Sequence, residues 1–159
     1  MYVGIKRSPE KVIGLWIVSF GLYGIYWLAQ TFSELQKYRK QGISGGSYAL
    51  LAVIFPPLAL SACWLLPSYV GKLYEENGKY EEIGSYWGSI LFLPSLALWA
   101  VVGMSYLIVI AGGGMGENGM TTMYMIVSAA IGINLFLLYN WLQKIQVQMN
   151  EFWDEAEKA

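Results

Sequence analysis

The side chains that could do chemistry are few, and the most useful kinds are missing. The 159-residue chain has no histidine and a single cysteine, Cys63. It therefore lacks the commonest general acid/base, the usual axial haem ligand and the commonest zinc ligand. One cysteine allows neither an intrachain disulfide nor a cysteine-ligated cluster. Ten Lys and Arg against eleven Asp and Glu leave a net charge of −1, so nothing favours a nucleic-acid partner. Gly114-Met115-Gly116-Glu117-Asn118-Gly119 spells the G-x-G-x-x-G string of dinucleotide binding. That fingerprint works only between a strand and a helix; here it lies between two apolar stretches and reads as a flexible loop. The expectation is a protein that is not an enzyme, with no catalytic residues, no cofactor and no metal.

The polar side chains inside the apolar stretches are small: Ser19, Ser61, Ser95, Ser105, Ser128 and Asn134, with Asn140 near the end of the last. Asn134 is the hardest to leave in lipid. It reads as a hydrogen bond across a helix interface, worth about 0.6 kcal/mol, or as a contact to a quinone, lipid or substrate. Charge-coupled transport, proton relay and Schiff-base chemistry lose their usual intramembrane residues.

The elements that would position these groups follow from where charge is absent. The chain is 56% hydrophobic and 13% charged, against about 25% charged in soluble domains. Uncharged runs cover 12–33, 41–71, 83–116 and 118–143, and about 20 apolar residues suffice to cross a bilayer core. The spacing predicts an all-α integral membrane protein: four transmembrane helices in a bundle, at about 12–32, 48–70, 86–111 and 120–142, with an amphipathic C-terminal helix over 143–157. Residues 1–159 form one membrane domain. The first span is too long for a cleaved signal peptide and has no cleavage site after it. Counting Lys and Arg by face puts Lys6, Arg7, Lys11, Lys72, Lys79, Lys144 and Lys158 opposite Lys37, Arg39 and Lys40, which places both termini in the cytoplasm of a multi-pass protein of the cell membrane. A rival topology makes the first run a re-entrant hairpin broken within Gly21-Leu22-Tyr23-Gly24, at the expense of turn backbone exposed to lipid. Pro56-Pro57 and Pro67 predict a kinked second helix.

Tyr26-Trp27, Tyr69, Tyr74, Tyr86-Trp87, Tyr139 and Trp141 mark span ends as interfacial anchors would. Trp99 falls mid-span, packed between helices or stacked on a hydrophobic ligand. The polar connections are each too short for a core of their own. They are acidic, with Glu75, Glu76, Glu81 and Glu82 in one and Glu151, Asp154, Glu155 and Glu157 in another, which disfavours anionic headgroups. In the last segment Leu142, Ile145, Met149, Phe152, Trp153 and Ala156 form a stripe opposite Gln143, Lys144, Gln146, Asn150 and Glu151, and the acidic tip favours a protein contact over lipid. Trp27-Leu28, Leu35-Gln36 and Tyr38 align without gaps to Trp141-Leu142, Met149-Asn150 and Phe152, an inverted repeat if the first run is a full span. Gly14 and Gly21 on one face of the first helix, Gly24 beyond them and Gly132 on the fourth are expected helix-packing or partner contacts.

Lys6-Arg7-Ser8-Pro9, the apolar run after it, Ser19-Phe20-Gly21-Leu22-Tyr23-Gly24-Ile25-Tyr26-Trp27-Leu28 and the polar Ser33-Glu34-Leu35-Gln36 resemble the opening of small membrane proteins grouped as domain of unknown function 4234. The resemblance covers about the first 40 residues. It implies a prokaryotic membrane protein and no particular activity. Two roles are expected. The first is a non-catalytic accessory or scaffold subunit that binds other membrane subunits, or itself, through the glycine faces, Asn134 and the stripe of Ile145, Met149, Phe152 and Trp153. The alternative is a small transport or ligand-binding module in which the proline-broken helices and Asn134 line a site for a neutral or lipidic molecule. The bilayer is a partner in both, and nucleic acid in neither.

Overall fold

The computed structural model describes residues 3–54, 57–79, 83–84, 86–111 and 117–158. Glu81, Glu82, Pro56 and the Gly114-Met115-Gly116 part of the glycine string lie outside them. The described residues form six helices and no strand: α1 (Pro9–Val18), α2 (Leu22–Arg39), α3 (Gly45–Ile54), α4 (Pro57–Glu76), α5 (Tyr86–Ala111) and α6 (Glu117–Lys158). Two are long and apolar enough to cross a membrane. They are α5, with mean hydropathy 2.0 over its most apolar window, and the Gly119–Lys158 part of α6, with 1.8.

The first expected span is therefore not one helix. α1 stops at Val18 and the chain turns over Ser19, Phe20 and Gly21. Phe20 N–H donates to Ile17 O at 3.1 Å and Gly21 N–H to Trp16 O at 2.9 Å. Phe20 and Gly21 take φ of +51° and +89°. These two crossed bonds over a left-handed residue are the Schellman way of ending a helix. α2 starts at once, with Tyr23 N–H bonded to Ser19 Oγ at 2.8 Å. The break, over Ser19–Gly21, begins two residues before the Gly21–Gly24 stretch where the hairpin reading places it and overlaps that stretch at Gly21. Absence of charge measures how apolar a run is, and it does not report whether the helix continues.

The second run divides the same way. α3 ends at Ile54 and α4 is described from Pro57, and the Tyr48 and Ser61 hydroxyls, 3.0 Å apart, show that the two helices lie side by side. Pro67 sits inside α4 and Pro94 inside α5 without ending either helix.

Ion pairs show where the ends of these helices meet. Lys6 bonds Asp154 at 2.7 Å and Glu157 at 2.8 Å, Arg7 pairs with Glu34, Arg39 with Glu76, and Lys79 with Glu155. The segment before α1, the end of α2, the end of α4 and the end of α6 thus gather at one polar end, the base. This corrects the expected topology, which sets Lys37, Arg39 and Lys40 opposite the other basic residues. α1–α2 and α3–α4 are both hairpins that leave the base and return to it.

The short polar segments build a core together, although none could alone. Trp27, Phe32, Leu35, Leu66, Val70, Leu73, Ile145, Met149, Phe152 and Trp153 are buried there. The core cluster stops at Leu91 on α5 and resumes at Trp141 on α6. Beyond it Leu107, Ile108, Tyr124 and Met125 lie exposed. A wide packed base thus tapers to a two-helix stalk.

Candidate functional site

Two features stand out at the junction of base and stalk: a polar chain that fastens the helices together, and an open apolar groove beside it.

The polar chain starts at Arg7. Its guanidinium grips both carboxylate oxygens of Glu34, with Nη1 to Oε2 at 3.2 Å. The Glu34 side chain is only 2% exposed and that of Arg7 13%. Breaking a buried pair of this kind from one side leaves an uncompensated charge. The Arg7 backbone is held from both sides by one amide: its N–H donates to Asn150 Oδ1 at 3.1 Å and its carbonyl accepts from Asn150 Nδ2 at 2.7 Å. Gln146 Nε2 donates to the same Asn150 Oδ1 at 2.9 Å, and Gln146 Oε1 accepts from Trp27 Nε1 at 2.8 Å. Gln146, one turn before Asn150 on α6, is buried. α6 therefore reads the α1–α2 hairpin through two amides, a role that only their i, i+4 spacing could have signalled in the sequence.

Aromatic rings complete the junction. Trp27 meets Trp141 edge-on with centroids 6.3 Å apart, and Tyr38 meets Phe152 likewise at 5.2 Å. These are the very residues that align in the internal echo. The two segments run in parallel toward the base and meet through rings at the first and last aligned positions, so the inverted-repeat expectation is corrected to a parallel arrangement. The stripe of Ile145, Met149, Phe152 and Trp153 is likewise taken up inside the chain, all four being buried. Gly4 leaves room for the Trp153 indole. The stripe is a core and not a free docking surface, and α6 runs through it as one helix, so the amphipathic segment continues the last apolar stretch.

At the rim of the base, Asp154 and Glu157 hold the Lys6 ammonium above its ordinary range. Lys6 in turn holds Asp154 below the usual carboxylate range. Arg39 does the same for Glu76, and Glu76 raises Arg39.

The groove has a volume of about 570 Å³ and opens between the α1–α2 hairpin, α4, α5 and α6. Trp16, Trp27, Leu28, Leu96, Trp99 and Leu138 are among its walls. Asn134 lines it too, and its Nδ2 donates to Ala130 O of its own helix at 2.8 Å; among the described residues it makes no bond across a helix interface. Trp99, mid-span and about half exposed, faces the groove. Ser95 Oγ is used on Leu91 O at 2.7 Å. The walls thus present hydrocarbon and ring faces, with little hydrogen-bonding capacity left over.

The expected glycine contacts fare differently from one another. Gly21 is the turn itself and Gly24 makes room for the Trp16 indole, whose Nε1 donates to Gly21 O at 3.1 Å. Gly14 and Gly132 face open space with nothing within 4 Å of an added Cβ. Gly14 and Gly21 consequently do not share a helix face. Sequence reading missed Trp16 as the brace of the turn, because the brace depends on the turn.

Together these features define an all-α protein with two helices long enough to cross a membrane and two hairpins packed against one end of them. Residues 7–74 match the family described as Domain of unknown function (DUF4234). The match carries the resemblance seen in the opening residues through both hairpins, and α5 and α6 lie beyond it. No curated protein and no solved structure matches the chain.

Proposed function

We propose that the chain is an integral membrane protein whose apolar groove holds the hydrocarbon chain of a lipidic molecule. In this reading α5 and α6 cross the bilayer, while the α1–α2 and α3–α4 hairpins enter from one face and return to it. The observation that carries it is the groove: about 570 Å³, inside the roughly 300–1,000 Å³ range of small-molecule sites, and walled by apolar side chains from five helices.

The objection to hairpins in lipid is exposed turn backbone. At the Ser19–Gly21 turn that objection is met locally. The N–H groups of Ser19, Phe20 and Gly21 are bonded within the turn, and Gly21 O accepts from both Gly24 N–H and Trp16 Nε1. The tip is also apolar where a soluble turn would be polar, with Phe20 98% exposed beside exposed Val18 and Leu22. All ten Lys and Arg lie outside 83–143, so the positive-inside rule puts the base and both termini in the cytoplasm.

Native mass spectrometry of the protein released from mild detergent tests the groove. Lipid-mass adducts should survive on the wild type and fall away in Ser95→Phe, which fills the groove. Equal retention in both would refute the assignment. A second reading, an accessory subunit of a larger membrane assembly, is supported by Gly103 and Gly132 on the stalk, which have open space around them. The same spectra would reveal it as a stoichiometric foreign subunit.

A further inference from the structure

We propose that the chain bends the membrane it occupies, making it convex on the side of the base. The proposal rests on the bilayer reading above and goes beyond it, because it concerns shape and not ligand.

The outgoing arms of the hairpins match a single leaflet, and α4, with 20 residues, carries its extra length into the base, where Leu73 and Tyr74 are buried. α1 and α3 have ten residues each, about 15 Å of helix at 1.5 Å per residue, and half of a 30 Å hydrocarbon core is about 15 Å. α5 has 26 residues, about 39 Å, and crosses completely. The apolar part of α2, residues 22–32, matches α1 before Ser33, Glu34 and Gln36 begin. The turn residue Gly21 shares the groove wall with Leu96 and Leu135, and Leu96 lies near the middle of α5. Exposed apolar residues mark both tips: Val18, Phe20 and Leu22 on one, Val53 and Ile54 on the other.

Among the described residues, the leaflet next to the base therefore holds segments of all six helices and the far leaflet holds only α5 and α6. The ion-paired rim fixes the base in water, so the hairpins cannot slide through to even out the difference. Four extra helices 10–12 Å across add about 300–450 Å² to one leaflet. With one copy per roughly 7,000 Å² of membrane and leaflet mid-planes about 15 Å apart, that excess corresponds to a spherical vesicle about 470–700 Å in radius.

The test adds purified protein to detergent-softened phosphatidylcholine vesicles about 1,000 Å in radius, so that every copy inserts with its base outside, and then removes detergent. Electron microscopy should show vesicle radii reduced about 1.4- to twofold at that loading. The double variant Phe20→Lys/Ile54→Lys charges both tips while leaving α5 and α6 intact. It should float with the vesicles, keep its helical circular dichroism and leave their radius unchanged. Wild-type protein that floats without reducing the radius overturns the wedge and leaves the bilayer reading standing. Wild-type protein that does not float overturns the bilayer reading and the wedge with it. Shrinkage by the double variant equal to that by the wild type also overturns the wedge. If the double variant misfolds, Phe20→Trp decides. Its added fluorescence should be quenched by lipids brominated at mid-chain, and quenching by aqueous iodide instead overturns the wedge.

Discussion

Glu34→Ala is the sharpest single perturbation of the junction. The carboxylate is buried and its two oxygens take the two Arg7 nitrogens. Removing one partner of a buried pair costs about 3–5 kcal/mol when the charge left behind is fully enclosed. The Arg7 side chain retains 13% exposure and gains some hydration, so about 2–3 kcal/mol is expected for Glu34→Ala. Arg7→Ala strands the more deeply buried carboxylate and should cost more, about 3–5 kcal/mol. Its backbone stays fixed by Asn150 in either variant, which confines the change to the charges. Replacing both residues by hydrocarbon, Arg7→Met with Glu34→Leu, removes the desolvated charges together and should recover most of the loss. Reversible unfolding by added sodium dodecyl sulfate in mixed micelles, followed by helical circular dichroism, gives all corners of the double-mutant cycle. A Glu34→Ala loss below about 1 kcal/mol, or single losses that simply add in Arg7→Ala/Glu34→Ala, would refute the claim that these groups form one buried unit.

Topology is read directly by labelling. In a Cys63→Ala background, single cysteines at Lys40 and Lys79 should react from the same side of sealed vesicles and one at Gly119 from the other. The glycines divide by surroundings: Gly24→Leu drives into the Trp16 indole and should cost about 1–3 kcal/mol, whereas Gly14→Leu, with open space around it, should stay within about 0.5 kcal/mol in the same unfolding assay. Acid should loosen the base. Asp154 and Glu76 are held below their ordinary range by Lys6 and Arg39, so their contribution is present above the unfolded carboxylate pKa of about 4 and is lost as the pH falls through the lowered folded values. Limited proteolysis near residue 158 should therefore accelerate below about pH 4, and Asp154→Asn should blunt that acceleration.

The helical class and the bounds of α5 were legible because a long uncharged stretch without an internal turn has one simple reading. The two hairpins were not, because Phe20-Gly21 ends a helix through backbone bonds that leave no mark on hydropathy. The Pro56-Pro57 pair was visible, but kinking and breaking look alike in sequence. Once the first run folds back, its basic flanks join one face and the count by sides changes. The amphipathic stripe of 142–156 was found with its period intact, and only the structure shows that its partners are the α1–α2 hairpin and the end of α4. Gln146 was placed among polar, outward residues because an amide looks the same whether it meets water or Trp27 Nε1. Of the groove, Trp99, Gly21, Gly24 and Asn134 had been singled out separately, and nothing in the sequence joins them.

The fastening of Arg7 by Asn150 and of Trp27 by Gln146 has a consequence for how the chain is made. Residues 7–74 emerge from the ribosome long before 141–153, and the two hairpins can pack on each other first, as Phe32 does on Tyr48 and Tyr69. Trp27, Tyr38 and Tyr74 meet their ring partners Trp141 and Phe152 only when that stretch of α6 follows, and until then these faces must be sheltered by lipid or by the insertion machinery. The arrival of 141–153 is thus the moment at which the base can be completed.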